Sequence, residues 1–275
     1  MGTMHKILPA AALLAALLLR CGMAEAQPGP QPATVHMSYT GTAYGLSVLA
    51  VEAALATDAT GYRVDVNFHT VGLLSMFVTA EFHSTTWGVW RGGRAEPERF
   101  WSWGHLRGAP RETLIDYRDG DPVLRRMVPA NAAERDEVSP AERNHTVDTL
   151  TAIAFLLHRV ADAGVCDGRE RVFDGRRLSE IDAHTVGQVM TTGGMAGTYL
   201  GATLLCDFTG QQLAGFRHNG GDWQLQPHNG HAWLASPVPG GPPIPVRLVF
   251  DTRWVGGIVM TLTDAAAGPL PAAPR

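Results

Sequence analysis

The sequence has a single lysine, Lys6, and it lies close to the N-terminus. A chain processed beyond position 26 would carry none. That excludes a Schiff-base lysine, a pyridoxal-phosphate lysine and a phosphate-loop lysine. Cysteine is almost as scarce, at three residues, and no Cys-x-x-Cys pair occurs. The close spacing usual for zinc sites and redox couples is therefore missing. Excess positive charge is missing too. A net charge of −4 argues against nucleic acid and against a basic membrane-surface patch. Neither Gly-x-Ser-x-Gly nor His-Glu-x-x-His is present. The expectation is a protein that is not an enzyme and needs no cofactor, with no catalytic residue to name.

What is present begins with a leader. His5 and Lys6 precede an apolar run from Ile7 to Leu19, followed by the small-x-small triplet Ala24-Glu25-Ala26. The run is shorter than the roughly 20 residues a membrane helix needs, and no later segment reaches that length. The pattern fits a signal peptide over 1–26, cut after Ala26, and a periplasmic location. Lipid attachment at Cys21 is not expected, because Arg20 stands where acylation signals place a small residue. Residues 27–33 read as an extended, proline-rich leader, 34–264 as a single β-rich domain and 265–275 as a disordered tail. Cys166 and Cys206 form an even pair in an exported chain, the usual setting for a disulfide.

Between the ends the dominant period is two. In Gly61–Thr70, Tyr62, Val64, Val66 and Phe68 alternate with Arg63, Asp65, Asn67 and His69, as in a half-buried antiparallel strand. Similar strands are read at Thr34–Thr40, Gly45–Leu55, Phe77–Trp90, Glu98–Trp103, Thr113–Tyr117 and Val123–Met127. Further along they are read at Arg171–Phe173, Arg176–Val186, Thr198–Phe208, Trp223–Gln226, Val246–Asp251 and Trp254–Thr263. Turn pairs such as Asp119-Gly120, Asp174-Gly175 and Asn229-Gly230 punctuate them. One segment has helical spacing: Leu150, Ile153, Ala154, Leu157 and Val160, with Asp148 at its start and Gly164 as its stop. The fold class is mainly β, an antiparallel, partly open barrel with one amphipathic helix packed across it.

The stretch Val165–Asp182 (VCDGRERVFDGRRLSEID) concentrates a cysteine, two Asp-Gly pairs and four arginines. It could be an anion loop, but no helix follows the glycine to aim backbone donors. Asp174-Gly175 between two short strands reads as a tight hairpin, with Phe173, Arg176 and Arg177 around it.

Asp148-Thr149-Leu150, then VCDGRERVFDGRR, LLCDFTGQQLAGF and PVRLVFDTRWVGGIVMTL, resemble the domain of unknown function 3108 family of exported proteobacterial proteins. The Phe-Asp-Gly-Arg-Arg core carries most of that likeness. Leu178-Ser179-Glu180-Ile181 stands where the family often has Arg-Tyr-Asp-Leu. The resemblance implies an exported, partly open β-barrel with a helix across it, and no activity.

Two constellations could bind something. Trp87, Trp90, Phe100, Trp101 and Trp103 cluster in neighbouring strands and are candidates to line an apolar ligand cavity. His218, His228 and His231 are weak metal candidates, needing a further ligand such as Asp222. Their place beside Asn-Gly pairs fits turns better. Likewise, Thr191–Gly197 is glycine-rich without a dinucleotide fingerprint and reads as a loop. The first functional expectation is a binding module for an apolar molecule or lipid of the cell envelope. The alternatives are a structural protein with a filled barrel that meets envelope proteins, and an unrecognised hydrolase.

Overall fold

The computed structural model describes residues 33–192, 199–253 and 255–272. The first half supplies β1 (Ala33–Ala43), β2 (Leu46–Thr57), β3 (Gly61–Thr70), β4 (Ala80–Arg91), β5 (Arg94–Leu106), β6 (Ala109–Arg118) and β7 (Asp121–Val128). A one-turn helix, α1 (Gly72–Ser75), sits between β3 and β4, and a second, α2 (Pro140–Arg143), follows β7. The long helix α3 (Thr149–Ala163) comes next. The second half supplies β8 (Gly168–Phe173), β9 (Leu178–Thr191), β10 (Gly201–Ala214), β11 (His228–Ala235), β12 (Ile244–Thr252) and β13 (Gly256–Ala267).

All thirteen strands form one antiparallel sheet in the order β7-β6-β5-β4-β3-β2-β1-β13-β12-β11-β10-β9-β8. The sheet curls into a nearly closed barrel. Burial follows the period of two that the pleat imposes. Val35, Met37 and Tyr39 on β1, Tyr62 and Val64 on β3, Leu204 and Cys206 on β10, and Ile258, Met260 and Leu262 on β13 are all buried. They join one core with Ala154 and Leu157 of α3. The helix thus lies against the inner face, as its apolar stripe requires.

Asp148 caps α3, its carboxylate accepting from the Thr151 backbone N–H at 2.9 Å, and Gly164 ends it at φ 69°. A disulfide between Cys166 and Cys206 ties the segment after the helix to β10. Both cysteines are buried.

The outer strands β7 and β8 do not pair with each other, and the chain between them closes the seam. Val147 bridges to Val172, with Val147 N–H donating to Arg171 O and Phe173 N–H to Val147 O. The β8–β9 hairpin reaches across from the other side. Asp174 accepts from the backbone N–H groups of Arg176 and Arg177 at 2.8 and 2.7 Å, fixing the turn. Arg176 then donates to Val128 O at 2.7 Å, and Asn131 donates to Arg176 O. Phe173 and Leu178 pack with Phe100, Ile115 and Val138 into a second apolar core beneath the seam. The Phe-Asp-Gly-Arg-Arg stretch is therefore a hairpin, and it serves as the clasp of the barrel.

Three expectations need correction. Trp223 to Leu225 lie in a 3-10 turn, and the strand of that region is β11. Asn229-Gly230 is inside β11 and makes no turn, because Gly230 sits under the Phe208 ring, where a Cβ would overlap it. That packing outweighs local turn preference. The residues read as a disordered tail are held as far as Ala272. Ala265–Ala267 pair with Met37–Val35, His36 donates to Pro269 O, and Arg63 donates to Ala272 O. Residues 1–32, Cys21 among them, and 193–198 lie outside the described residues, while Ala33, read as the last leader residue, begins β1.

Gly175 has φ +88°, and a Cβ there would overlap Thr113 of β6. Gly175→Ala should cost at least about 1–3 kcal/mol in urea unfolding, and an unchanged midpoint would remove the clasp from its structural role. Cys166 and Cys206 should resist alkylation until reduced. For their sequence separation of 40 residues, reduction should cost about 4 kcal/mol, read from the unfolding curve with and without reductant.

Candidate functional site

α3 packs against β3, β4, β5 and β8. At the opposite end of the barrel, where β2, β4, β6 and β13 begin, the interior opens into a cavity of about 580 Å³. Its walls are mostly aliphatic: Val48 and Leu49 of β2, Leu74 of α1, Val78, Leu106 and Ile258. Such a volume lies within the roughly 300–1,000 Å³ range of small-molecule sites. α1 is held over this mouth by a hydrogen bond from Val71 N–H to Val48 O. Around the opening the chain exposes an apolar lip: Tyr44 at 90%, Leu73 at 62%, Met76 at 77% and Phe77 at 81%. Large side chains left in water in one place mark a contact surface more often than chance exposure.

One side of the cavity is charged. Arg111 of β6 makes a two-pronged pair with Glu134, both N–O distances 2.7 Å. Arg217, just beyond β10, approaches the same carboxylate at 3.6 Å. The Arg111 side chain is 17% exposed, and its Nε is buried without a hydrogen-bond partner among the described residues. The Arg111 hydrogen bonds hold the Glu134 carboxyl below its usual value; burial opposes them, and the charges of Arg111, Arg217 and Arg176 reinforce them. Behind this wall, burial and the neighbouring charges of Arg177 and Arg217 lower the Arg135 guanidinium to about 10. Two guanidiniums thus share one carboxylate in a place already crowded with positive charge.

The five aromatic candidates do not line this cavity. Phe100 is buried in the seam core. Trp90 stacks on His158 of α3 at 4.0 Å and packs on Tyr62 at the helix end. Trp87, Trp101 and Trp103 lie on the opposite face of their strands from the buried Thr86 and Phe100. There Arg99 lies over Trp87, Trp101 packs on Trp103, and Trp103 stacks on His83. The three histidines do not converge either. His228 and His231 are three apart on β11, so they point to opposite faces of the sheet. His228 donates to Trp223 O, while His231 pairs with Asp207 at 2.6 Å. His218 pairs with Asp136.

At the start of the helix Asp148 is fully buried and bonded to the Thr86 and Thr151 hydroxyls, with Tyr62 joining through Thr151. Burial raises its carboxyl against the opposing hydrogen bonds. Its contacts are those of a helix cap. No motif announced Arg111, Glu134 or Arg217, which come from three separate segments. A local signal not singled out from the sequence was VGLLSMFV, an apolar run around a glycine, which forms α1 and all of the lip but Tyr44.

Residues 34–263 match the family described as protein of unknown function, DUF3108. The chain belongs to the DUF3108 family. A crystal structure of a β-barrel-like protein of domain of unknown function DUF1849, from Brucella abortus, is similar in fold, with a TM-score of 0.54. The two share 12% identity over 87% of this chain and 99% of the other. A Parabacteroides distasonis structure described as a candidate lipoprotein aligns over 86% of this chain and 95% of its own. Its TM-score of 0.33 and 9% identity are too low to bear on this DUF3108 protein. No curated protein matches the chain in sequence. Among the described residues no helix is long and apolar enough to cross a membrane.

Because Glu134 titrates lower in the folded chain than its unfolded value, its contribution is present above about pH 4.3 and fades as pH falls through the folded value. Glu134→Gln should therefore be less stable than wild type at neutral pH. Urea unfolding across pH should show that difference closing below about pH 4, and a pH-independent difference would contradict the pairing.

Proposed function

We propose that this protein is an exported, non-enzymatic binding module that holds an apolar molecule of the cell envelope in the cavity opposite α3. The observation that carries the reading is the aliphatic cavity of about 580 Å³ opening beside an exposed apolar lip. A preformed apolar pocket with a few polar groups at one side is the usual design of a small-molecule site. The lip would let an apolar ligand pass between the cavity and a lipid or protein surface without crossing water. The leader pattern and the Cys166–Cys206 disulfide support passage to an oxidising compartment such as the periplasm. The lip also favours a second reading, in which the same mouth docks an envelope protein.

Ala80 lines the cavity from β4, so Ala80→Trp places a large ring in it. With the fluorescent probe N-phenyl-1-naphthylamine, wild type should bind with enhanced emission. Ala80→Trp should bind at least about 10-fold more weakly while keeping the β-sheet circular dichroism. Equal binding by a folded variant, or no binding by wild type, would overturn the cavity reading.

A further inference from the structure

The cavity is polarised, and its polarity runs against the charge of the whole chain. The protein carries a net charge of −4, yet the ionisable groups on the cavity wall are Arg107, Arg111 and Arg217 against the single carboxylate Glu134. The excess stands without Arg107, since Arg111 and Arg217 share Glu134. Arg111 uses both terminal nitrogens on that carboxylate. Arg217 stands at 3.6 Å, beyond a good hydrogen bond, and its side chain is 34% exposed. It can therefore turn to a second acceptor at little cost. The same neighbourhood holds Arg135 and Arg176, whose guanidiniums burial and nearby cations push down against the opposing charge of Asp174 and, for Arg176, of Glu134. A second anion placed here would relieve repulsion as well as gain charge-assisted hydrogen bonds. The aliphatic wall then continues from Leu106 and Ala109 to Val48 and Ile258.

From this arrangement, and resting on the cavity reading above, we infer that the ligand is an amphiphile with an anionic head. Its carboxylate or phosphate group meets Arg217 and Arg111, and its hydrocarbon chain lies against Val48, Leu74, Val78, Leu106 and Ile258. A neutral alcohol of the same chain length would fill the same space but leave the arginine side without its counter-charge.

Competition against N-phenyl-1-naphthylamine, with dodecanoate and dodecanol below their aggregation limits, separates the two ideas. Dodecanoate should bind at least about 10-fold more tightly than dodecanol. Arg217→Gln should bring the two within about 2-fold of each other by weakening dodecanoate alone, and Arg217→Lys should restore part of the preference. Raising the salt concentration should weaken dodecanoate and leave dodecanol unchanged. Equal affinity of wild type for acid and alcohol, or an undiminished acid preference in Arg217→Gln, overturns the anionic head and leaves the apolar cavity standing. Displacement by neither compound overturns both.

Discussion

The seam between β7 and β8 is the constraint on which the barrel depends. A sheet with two free edges presents rows of unpaired backbone groups, and these must be paired, covered or left to water. Here the connection from Pro129 to Asp148 is spent on that task. Val147 pairs with β8, Arg176 caps carbonyls at the end of β7, and Asp136 N–H donates to Phe216 O at the lower part of the gap. Apolar burial by Phe173, Leu178 and Val138 then makes the closure a piece of core rather than a lid. The barrel is closed by side chains and a crossing loop where a ladder of strand bonds would otherwise be needed.

That closure sets where the interior is full and where it is open. The connection runs directly into α3, which enters the barrel with Asp148 buried against Thr86 and fills one end. Its C-terminal side is then fastened through Cys166 to β10. The other end receives only the single turn of α1, so a cavity remains there. The residues that close the lower seam, Glu134 and Arg217, are also those that charge the cavity wall. Structural closure and the character of the candidate site thus share the same side chains. A change at the seam should be felt in both.

Much of the fold was legible because the pleat writes itself into sequence. Alternation in Gly61–Thr70 matches β3 at both ends, and Asp148 with Gly164 bounds α3. Asp174-Gly175 marked the hairpin, although the loop spans 174–177 and of the pair only Gly175 takes a positive φ. The failures have equally physical causes. Asn229-Gly230 looks like a turn until the Phe208 ring is laid over Gly230, a contact from another strand. The alanines of 265–267 have weak strand preference and owe their place to pairing with β1. The site was the least legible part. Aromatic clusters draw attention as ligand binders, but three of the five candidates face outwards and Trp90 and Phe100 are used in packing. The cavity is lined by ordinary aliphatic residues that only the curvature of the sheet brings together.

In the proposed function the open end of the barrel holds an apolar or amphiphilic molecule. Native mass spectrometry of the protein purified from its own cells, followed by solvent extraction of what it carries, tests that directly. The expected result is a one-to-one adduct that releases an apolar-chained molecule on extraction and is absent from Ala80→Trp. Protein at its bare mass that takes up no added dodecanoate or dodecanol would contradict it.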